Sequence, residues 1–245
     1  MNDSISTREL AVVTGAAVRL GREMALALAR RGYAIGLHYH RSGDGASETA
    51  KLIKQAGAPV LLLQADLRDP QQITSMFQLV ADSPYRLSVL VNSAAQMSRA
   101  DLHNLSVEEW DTTLALNLRA PWLCSRAAAA LMLNDGGLIV NISDTGVEKT
   151  WTGYPAYEVS KAGLEMLTRL LARSLAPSIR VNAIAPGLIL PPPDFPQAEW
   201  ERLVQRLPLK KSGSPESVIH ALQFLIENKY VTGETLVVDG GYRLL

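Results

Sequence analysis

The sequence predicts an α/β fold: one domain over residues 1–245, built as a doubly wound parallel sheet of seven strands with helices on both faces. Three observations carry that expectation. Short β-branched runs alternate with longer helical ones, the pattern of repeated strand–helix–strand units. Several strand runs are apolar throughout rather than at every second residue, as strands are when helices cover both faces. The first strand also runs through a glycine-bearing turn directly into a helix.

In chain order, Leu10–Thr14 is the first strand and leads through Gly15 to a helix over Gly21–Arg31. Ala34–Tyr39 and the helix Gly45–Gln55 form the second unit, and Val60–Gln64 with Gln71–Ala81 the third. Ser88–Asn92 leads to a long helical run, Val107–Leu133. Pro121 inside it has no backbone N–H to donate, which predicts a kink or a division there. Leu138–Ile142 precedes the helix Tyr154–Leu175; Arg180–Ile184, the helix Pro215–Glu227 and the strand Thr235–Val238 close the series. The one long irregular stretch begins at Pro186 and holds Pro191-Pro192-Pro193. A connection of that length in a compact domain is functional or mobile. We read residues 187–208 as a substrate-covering loop with a short helix near Gln197–Gln205.

Bulk properties exclude several function classes. A chain of 245 residues should bury roughly 70–75% of the surface its unfolded form exposes, so its core needs no staples. Lysine plus arginine equals aspartate plus glutamate at 24 each, which argues against a nucleic-acid surface or a polyanion-binding tail. A single cysteine, Cys124, leaves no intrachain disulfide and fits a reducing compartment. The polar stretch Met1–Glu9 lacks a signal peptide's apolar core, and no run approaches the roughly 18 apolar residues of a membrane span. A cytoplasmic location is expected. No internal repeat or low-complexity segment is visible, and no residues are assigned to a metal.

The turn Thr14-Gly15-Ala16-Ala17-Val18-Arg19-Leu20-Gly21 has the makings of a pyrophosphate cradle. Gly15 permits the tight turn, Gly21 permits close helix–strand packing, and the free N–H groups at the helix start can hold a phosphate. At the end of the second strand, His38-Tyr39-His40-Arg41-Ser42 contains no acid. An NAD-preferring site places an acid there for the ribose 2′-hydroxyl, and that acid would repel a 2′-phosphate. Arg41 can pair with such a phosphate and Ser42 can donate to it, so NADPH is the expected cofactor. The alternative for Arg41 is a solvated loop position. Asp44, two residues beyond, is read as the N-cap of the following helix.

Tyr157 and Lys161 lie four apart in a helical segment and therefore project from one face. A phenol of ordinary pKa near 10 is a poor proton shuttle at neutral pH, and a nearby ammonium is expected to lower it.

These features resemble the short-chain dehydrogenase/reductase family over nearly the whole chain. The turn resembles its fingerprint of threonine, glycine, three residues, glycine, any residue, glycine, with Arg19 where the middle glycine usually sits. Asn92-Ser93-Ala94-Ala95, Asn117, the Tyr157/Lys161 pair, Pro186-Gly187 and Val238-Asp239-Gly240-Gly241 match as well. The resemblance implies a Rossmann fold. It implies a cofactor site formed by Gly15, Arg19, Leu20, Gly21, His40, Arg41, Ser42, Asp66, Leu67, Asn92, Ser93, Ala94, Tyr157, Lys161, Pro186 and Gly187. Within it, Asp66 and Leu67 would contact adenine, Asn92 would line the adenosine pocket, and Pro186-Gly187 would lie beside nicotinamide. Lys161 would also hold the nicotinamide ribose, and Asn117 would hold a water linked to Lys161. Plainer readings stand beside these: Asp66 capping a turn before Pro70, Asn92 bonding from strand to loop, Asn117 bonding a neighbouring backbone.

One departure bears on the substrate. Most of the family ends its fifth strand Asn-Ile-Ser-Ser, and the second serine bonds a substrate carbonyl; here the run is Asn141-Ile142-Ser143-Asp144. An ionised aspartate repels a developing alkoxide, whereas a carboxyl can relay a proton to a C=N nitrogen or bind an amidine-like N–H edge. The alternative is a register slip that leaves Ser143 as the carbonyl partner. Arg19-Leu20-Gly21, the His38–Ser42 string and Asp144 are similar to the pteridine reductase and dihydromonapterin (dihydrofolate) reductase branch. That branch implies hydride transfer from NADPH to a C=N bond of a pterin or dihydrofolate-like heterocycle. Tyr157, Lys161, Asp144 and Asn117 would be catalytic, and Arg19, Asp144, Gln96 and Tyr157 would meet the substrate. The branch places an aromatic residue where this chain has Gln96. Met97, Tyr154, Trp151 or Trp200 could supply that wall, or be packing residues. The rival activities are reduction of a ketone or 3-oxoacyl thioester and, in another class, NADPH-dependent regulation without catalysis.

The resemblance also implies a homo-oligomer, a dimer or tetramer, formed through Val107–Leu133 and Tyr154–Leu175. The series Val159, Leu164, Leu167, Leu171 and Leu175 permits this and would serve as ordinary core equally well.

Overall fold

A computed structural model of the chain describes residues 8–245; of the polar Met1–Glu9 stretch only Arg8 and Glu9 fall within it. The seven strands are β1 (Glu9–Val13), β2 (Ala34–Tyr39), β3 (Val60–Gln64), β4 (Arg86–Asn92), β5 (Gly137–Ile142), β6 (Ile179–Pro186) and β7 (Thr235–Val238). They form one sheet in the order β3-β2-β1-β4-β5-β6-β7, with every pairing parallel. The helices are α1 (Arg19–Arg30), α2 (Gly43–Gln55), α3 (Pro70–Ala81), α4 (Val107–Leu114), α5 (Ala120–Met132), α6 (Pro155–Leu175), α7 (Gln197–Arg206) and α8 (Pro215–Glu227).

The unbroken apolar strand runs have a direct cause. Side chains alternate across a strand, so Ala11 and Val13 of β1 enter one hydrophobic cluster while Leu10 and Val12 enter the other. The first cluster packs α1, α2 and α8 against the sheet, and the second packs α3 and α5 against the opposite face. Both sides of β1 are therefore dry. The order of strands reverses between β1 and β4, and in open parallel sheets ligands bind outside the carboxyl ends of the strands at that point.

The long run after β4 is divided, one turn before the proline that suggested a break. Residues Ala115–Arg119 form a π-helical turn in which the Ala120 N–H reaches back five residues to the Ala115 carbonyl. Pro121 falls in the first turn of α5, where its missing N–H costs nothing. Such wide turns recur at functional positions, and this one carries Asn117.

The structure corrects two expectations. Asp44 is not the N-cap of α2: Ser42 holds that position, and Asp44 stands in the first turn, where its charge complements the helix dipole. Along α6, Leu164 is buried, and Leu171 and Leu175 pack on the core, so the ordinary-core reading holds for these three. Val159, Met166 and Leu170 are the large apolar residues that this helix exposes. Among the described residues, no helix is long and apolar enough to cross a membrane.

Candidate active site

The carboxyl ends of the strands open onto a cleft of about 830 Å³. At its phosphate end Gly15 adopts φ +67°, and a Cβ there would stand 3.0 Å from the Ala94 Cα. A Cβ on Gly21 would come within 2.2 Å of the Gly15 carbonyl oxygen. Both positions exclude any other residue, and they leave the turn's backbone open to the cleft. Thr14 ties this turn to the next strand: its hydroxyl accepts from the backbone N–H groups of Ser93 (2.9 Å) and Ala94 (3.0 Å).

His38 is a member of the site that the sequence reading quoted without giving it a role. Its Nδ1 accepts from the Gly15 N–H at 3.0 Å, so its Nε2 carries the proton and donates to the Ala65 carbonyl at 3.1 Å. Burial pushes its pKa down to about 4, which keeps the ring neutral. The available signal was a polar residue inside an otherwise apolar strand.

Arg19, the first residue of α1, adopts φ +53°, the left-handed conformation that suits the glycine usual at this place. Its guanidinium crosses the mouth of the cleft and donates to the carbonyls of Pro191 (2.8 Å) and Leu190 (3.3 Å), both in the proline-rich loop.

At the opposite rim stand His40, Arg41, Ser42, Asp66, Leu67 and Arg68. Arg41 and Ser42 are exposed. Asp66 both forks onto Arg68, with contacts of 2.6–3.1 Å, and accepts from the Arg68 backbone N–H. That guanidinium holds its carboxyl down at about 2. The turn-capping reading of Asp66 is thus observed, and the residue also lines the cleft. Arg68, two residues beyond, is a cation that sequence reasoning missed.

Asn92 is corrected. Its side chain is buried and donates to Asn141 Oδ1 (2.8 Å) and Ser125 Oγ (3.2 Å), and Asn141 in turn donates to Thr168 Oγ1 (2.8 Å). Ser93, Ala94, Ala95 and Gln96 form the wall after β4, and Asn92 supports it from beneath.

At the reacting end, the Tyr157 hydroxyl donates to Asp144 Oδ2 at 2.8 Å, while Asp144 Oδ1 accepts from the Gly146 N–H at 2.6 Å. Ser143 is bound elsewhere: its hydroxyl donates to Glu165 Oε1 at 2.9 Å. Asp144, and not Ser143, stands beside the tyrosine. Lys161 is buried; its Nζ donates to the Ile142 carbonyl (2.7 Å) and lies 5.5 Å from the Tyr157 ring centroid. Burial lowers its pKa to about 8.

The expected acidification of Tyr157 is overturned. Burial and the Asp144 carboxyl raise its pKa well above 10, and Lys161 is not among the causes of the shift. Burial raises the Asp144 carboxyl as well. The arrangement is a phenol bonded to a carboxyl, and it holds its proton rather than releasing it.

Asn117 works at one remove from the cleft. Its Oδ1 accepts from the Gln96 N–H (2.9 Å), and its Nδ2 donates to the Gln96 carbonyl (2.8 Å) and to Ser160 Oγ (3.1 Å). Gln96 also donates through Nε2 to Thr113 Oγ1 at 3.1 Å, so this wall is fixed at backbone and side chain. Of the candidate aromatic or soft walls, Met97 and Tyr154 line the cleft. Trp151 packs on Tyr154 and Tyr242, and Trp200 on Phe195. Pro186 and Gly187 line the cleft beside Lys161. A Cβ on Gly187 would stand 2.7 Å from that of Asp239, which explains why residue 187 is a glycine.

With this geometry in place, known proteins can be compared. A family model described as enoyl-(acyl carrier protein) reductase matches residues 15–243. The 3-oxoacyl-[acyl-carrier-protein] reductase of Synechocystis sp. is 32% identical over 241 residues, covering 96% of this chain and 97% of its own. Carbonyl reductase family member 4 of Danio rerio is 38% identical over 237 residues, covering 96% and 98%. The crystal structure of FolM alternative dihydrofolate reductase 1 from Brucella canis, complexed with NADP, superposes with TM-score 0.91 at 32% identity, covering 96% of this chain and 94% of that one. Family match, relatives and superposition agree across nearly the full length, and the chain belongs to the short-chain dehydrogenase/reductase family of oxidoreductases.

Proposed function

We propose that this chain reduces a C=N bond of a dihydropterin or dihydrofolate-like heterocycle with NADPH. The observation that carries the reading is the 2.8 Å hydrogen bond from the Tyr157 hydroxyl to the Asp144 carboxyl, in the place where a ketone reductase has a serine. The likeness to a FolM reductase complexed with NADP supports it.

The residues fit a dinucleotide phosphate. Gly15 and Gly21 form a cradle that a Cβ would fill. His38 fixes the Gly15 amide, and Arg41, Ser42 and Arg68 offer donors at the adenosine rim. Lys161 and the Pro186-Gly187 turn flank the nicotinamide end. When bound there, NADPH supplies a hydride to the substrate carbon. Tyr157 holds the proton for the nitrogen, Asp144 orients that hydroxyl and offers an acceptor to an N–H edge, and Gln96 and Met97 bound the ring. The exposed Val159, Met166 and Leu170 on α6 suit pairing with a second copy.

The second reading, a 3-oxoacyl thioester reductase, is favoured by relatives of that name. Against it stands the Ser143 hydroxyl, committed to Glu165. Following NADPH oxidation with dihydrobiopterin, dihydrofolate and an acetoacetyl thioester separates the two. We expect kcat/KM for a heterocycle to exceed that for the thioester by about tenfold or more, a difference of about 1.4 kcal/mol. Turnover of the thioester alone overturns the proposal.

Arg41→Ala should raise the NADPH dissociation constant about tenfold or more, because a charge-assisted contact to the 2′-phosphate is lost. NADH, which lacks that phosphate, should bind within about twofold of wild type. Fluorescence titration reads both constants, and equal losses would count against phosphate recognition.

A further inference from the structure

A second carboxyl stands behind Asp144. A Cβ on Gly146 would lie 2.7 Å from Glu158 Oε1 and 3.0 Å from Asp144 Oδ1. The two oxygens are therefore no further apart than those distances laid end to end, and only a glycine separates them. Asp144 Oδ1 is bonded to the Gly146 amide, while Glu158 Oε1 is shielded from solvent and has no hydrogen-bond partner. The Glu158 residue as a whole is only partly buried, so its other oxygen can exchange protons with water.

We infer that Glu158 acts through Asp144, as the second member of a carboxyl pair that holds a proton in reserve for the substrate nitrogen. The inference rests on the C=N reading above. Two carboxyls this close in a partly dry site resist ionising together, so the pair keeps one proton to a higher pH than a lone surface acid would. Burial and the Asp144 charge raise Glu158 to about 7, offset in part by the Trp151 backbone N–H.

The surrounding groups leave the pair intact. From the segment after β5, Glu158 faces Asp144; on its own helix, Tyr157; from the C-terminal turn, Tyr242. Of the nearby cations, Lys161 lowers the Asp144 carboxyl through its charge, against the larger effect of burial, and each makes its hydrogen bonds outside the pair. Lys161 donates to the Ile142 carbonyl, Lys149 to the carbonyls of Tyr242 and Leu245, and Arg243 pairs with Glu148.

Reduction of C=N consumes one hydride and one proton: a C–H and an N–H bond form, and the C=N π bond breaks. The nitrogen takes the Tyr157 hydroxyl proton, Tyr157 recovers it from the carboxyl pair, and water restores the pair's proton. Glu158 touches no substrate and is a positioning residue.

Infrared titration of the enzyme alone tests the pair directly. Wild type should show a protonated-carboxyl stretch that disappears around pH 7, whereas E158Q should lose that transition or shift it acid by about one unit or more. An identical titration in both proteins overturns the inference. The pH dependence of kcat/KM with a dihydropterin tests its use. In E158Q the loss should grow with pH, reaching about tenfold at pH 8, because the remaining carboxyl gives up its proton earlier. E158D should restore the wild-type limb. A loss uniform across pH would mark a merely structural role and overturn the inference. If no C=N substrate is reduced, the substrate reading fails, and the infrared arm still decides the pair.

Discussion

Tyr157→Phe is expected to lower kcat with a dihydropterin by about 10³-fold, the range a positioned general acid contributes, while the NADPH dissociation constant stays within about threefold of wild type. The hydroxyl bonds directly to Asp144 Oδ2, and its raised pKa makes it a donor rather than a phenolate. Removing it leaves the Asp144 carboxyl without the relay to the substrate. The ring itself stays packed, since Tyr157 is buried, and the stability cost is that of leaving the Asp144 oxygen without its donor, about 1–3 kcal/mol. Steady-state rates and cofactor fluorescence titration give the two numbers. A kcat within tenfold of wild type would remove Tyr157 from the reaction.

Asp144→Asn is expected to lower heterocycle turnover by about 10²-fold or more, because the amide keeps the shape and loses the proton capacity. Reduction of a simple ketone, which a carboxylate hinders by repelling the developing alkoxide, should not fall. The sign for stability is opposite. Burial holds the folded pKa of Asp144 above its unfolded value, so ionising it opposes folding as pH rises past the ordinary carboxylate range. The variant should therefore unfold no earlier than wild type at pH 8, which thermal melts check. A parallel loss of ketone and heterocycle turnover would show that Asp144 serves architecture alone.

Much of this was legible in the chain because the relevant signals are local. Each strand run was bounded to within a residue or two, as continuous apolar stretches report two-sided burial, and Pro155 and Pro215 in the first turns of α6 and α8 mark those starts sharply. The glycine turn, Arg41 and the Asp144 register were readable for the same reason. What escaped depends on contacts between distant residues. Pro121 announced a break, and the helix widens just before it, over Ala115–Arg119, rather than at the proline itself. His38 became a neutral bridge only when β2 met the Gly15 turn and Ala65. Nothing in a four-residue spacing could reveal that Lys161 would spend its ammonium on the Ile142 carbonyl, or that Asp144 would govern the Tyr157 proton instead.

The buried relay from Asn92 through Asn141 to Thr168 joins β4, β5 and α6, with Ser125 of α5 as a second acceptor for Asn92. Cutting any one link strands a polar group in a dry interior, at about 1–3 kcal/mol, whereas replacing the linked groups together by apolar ones of matching shape strands none. The scaffold beneath the chemistry is therefore guarded by epistasis: its members can be exchanged as a set, and drift at any single one of them is penalised.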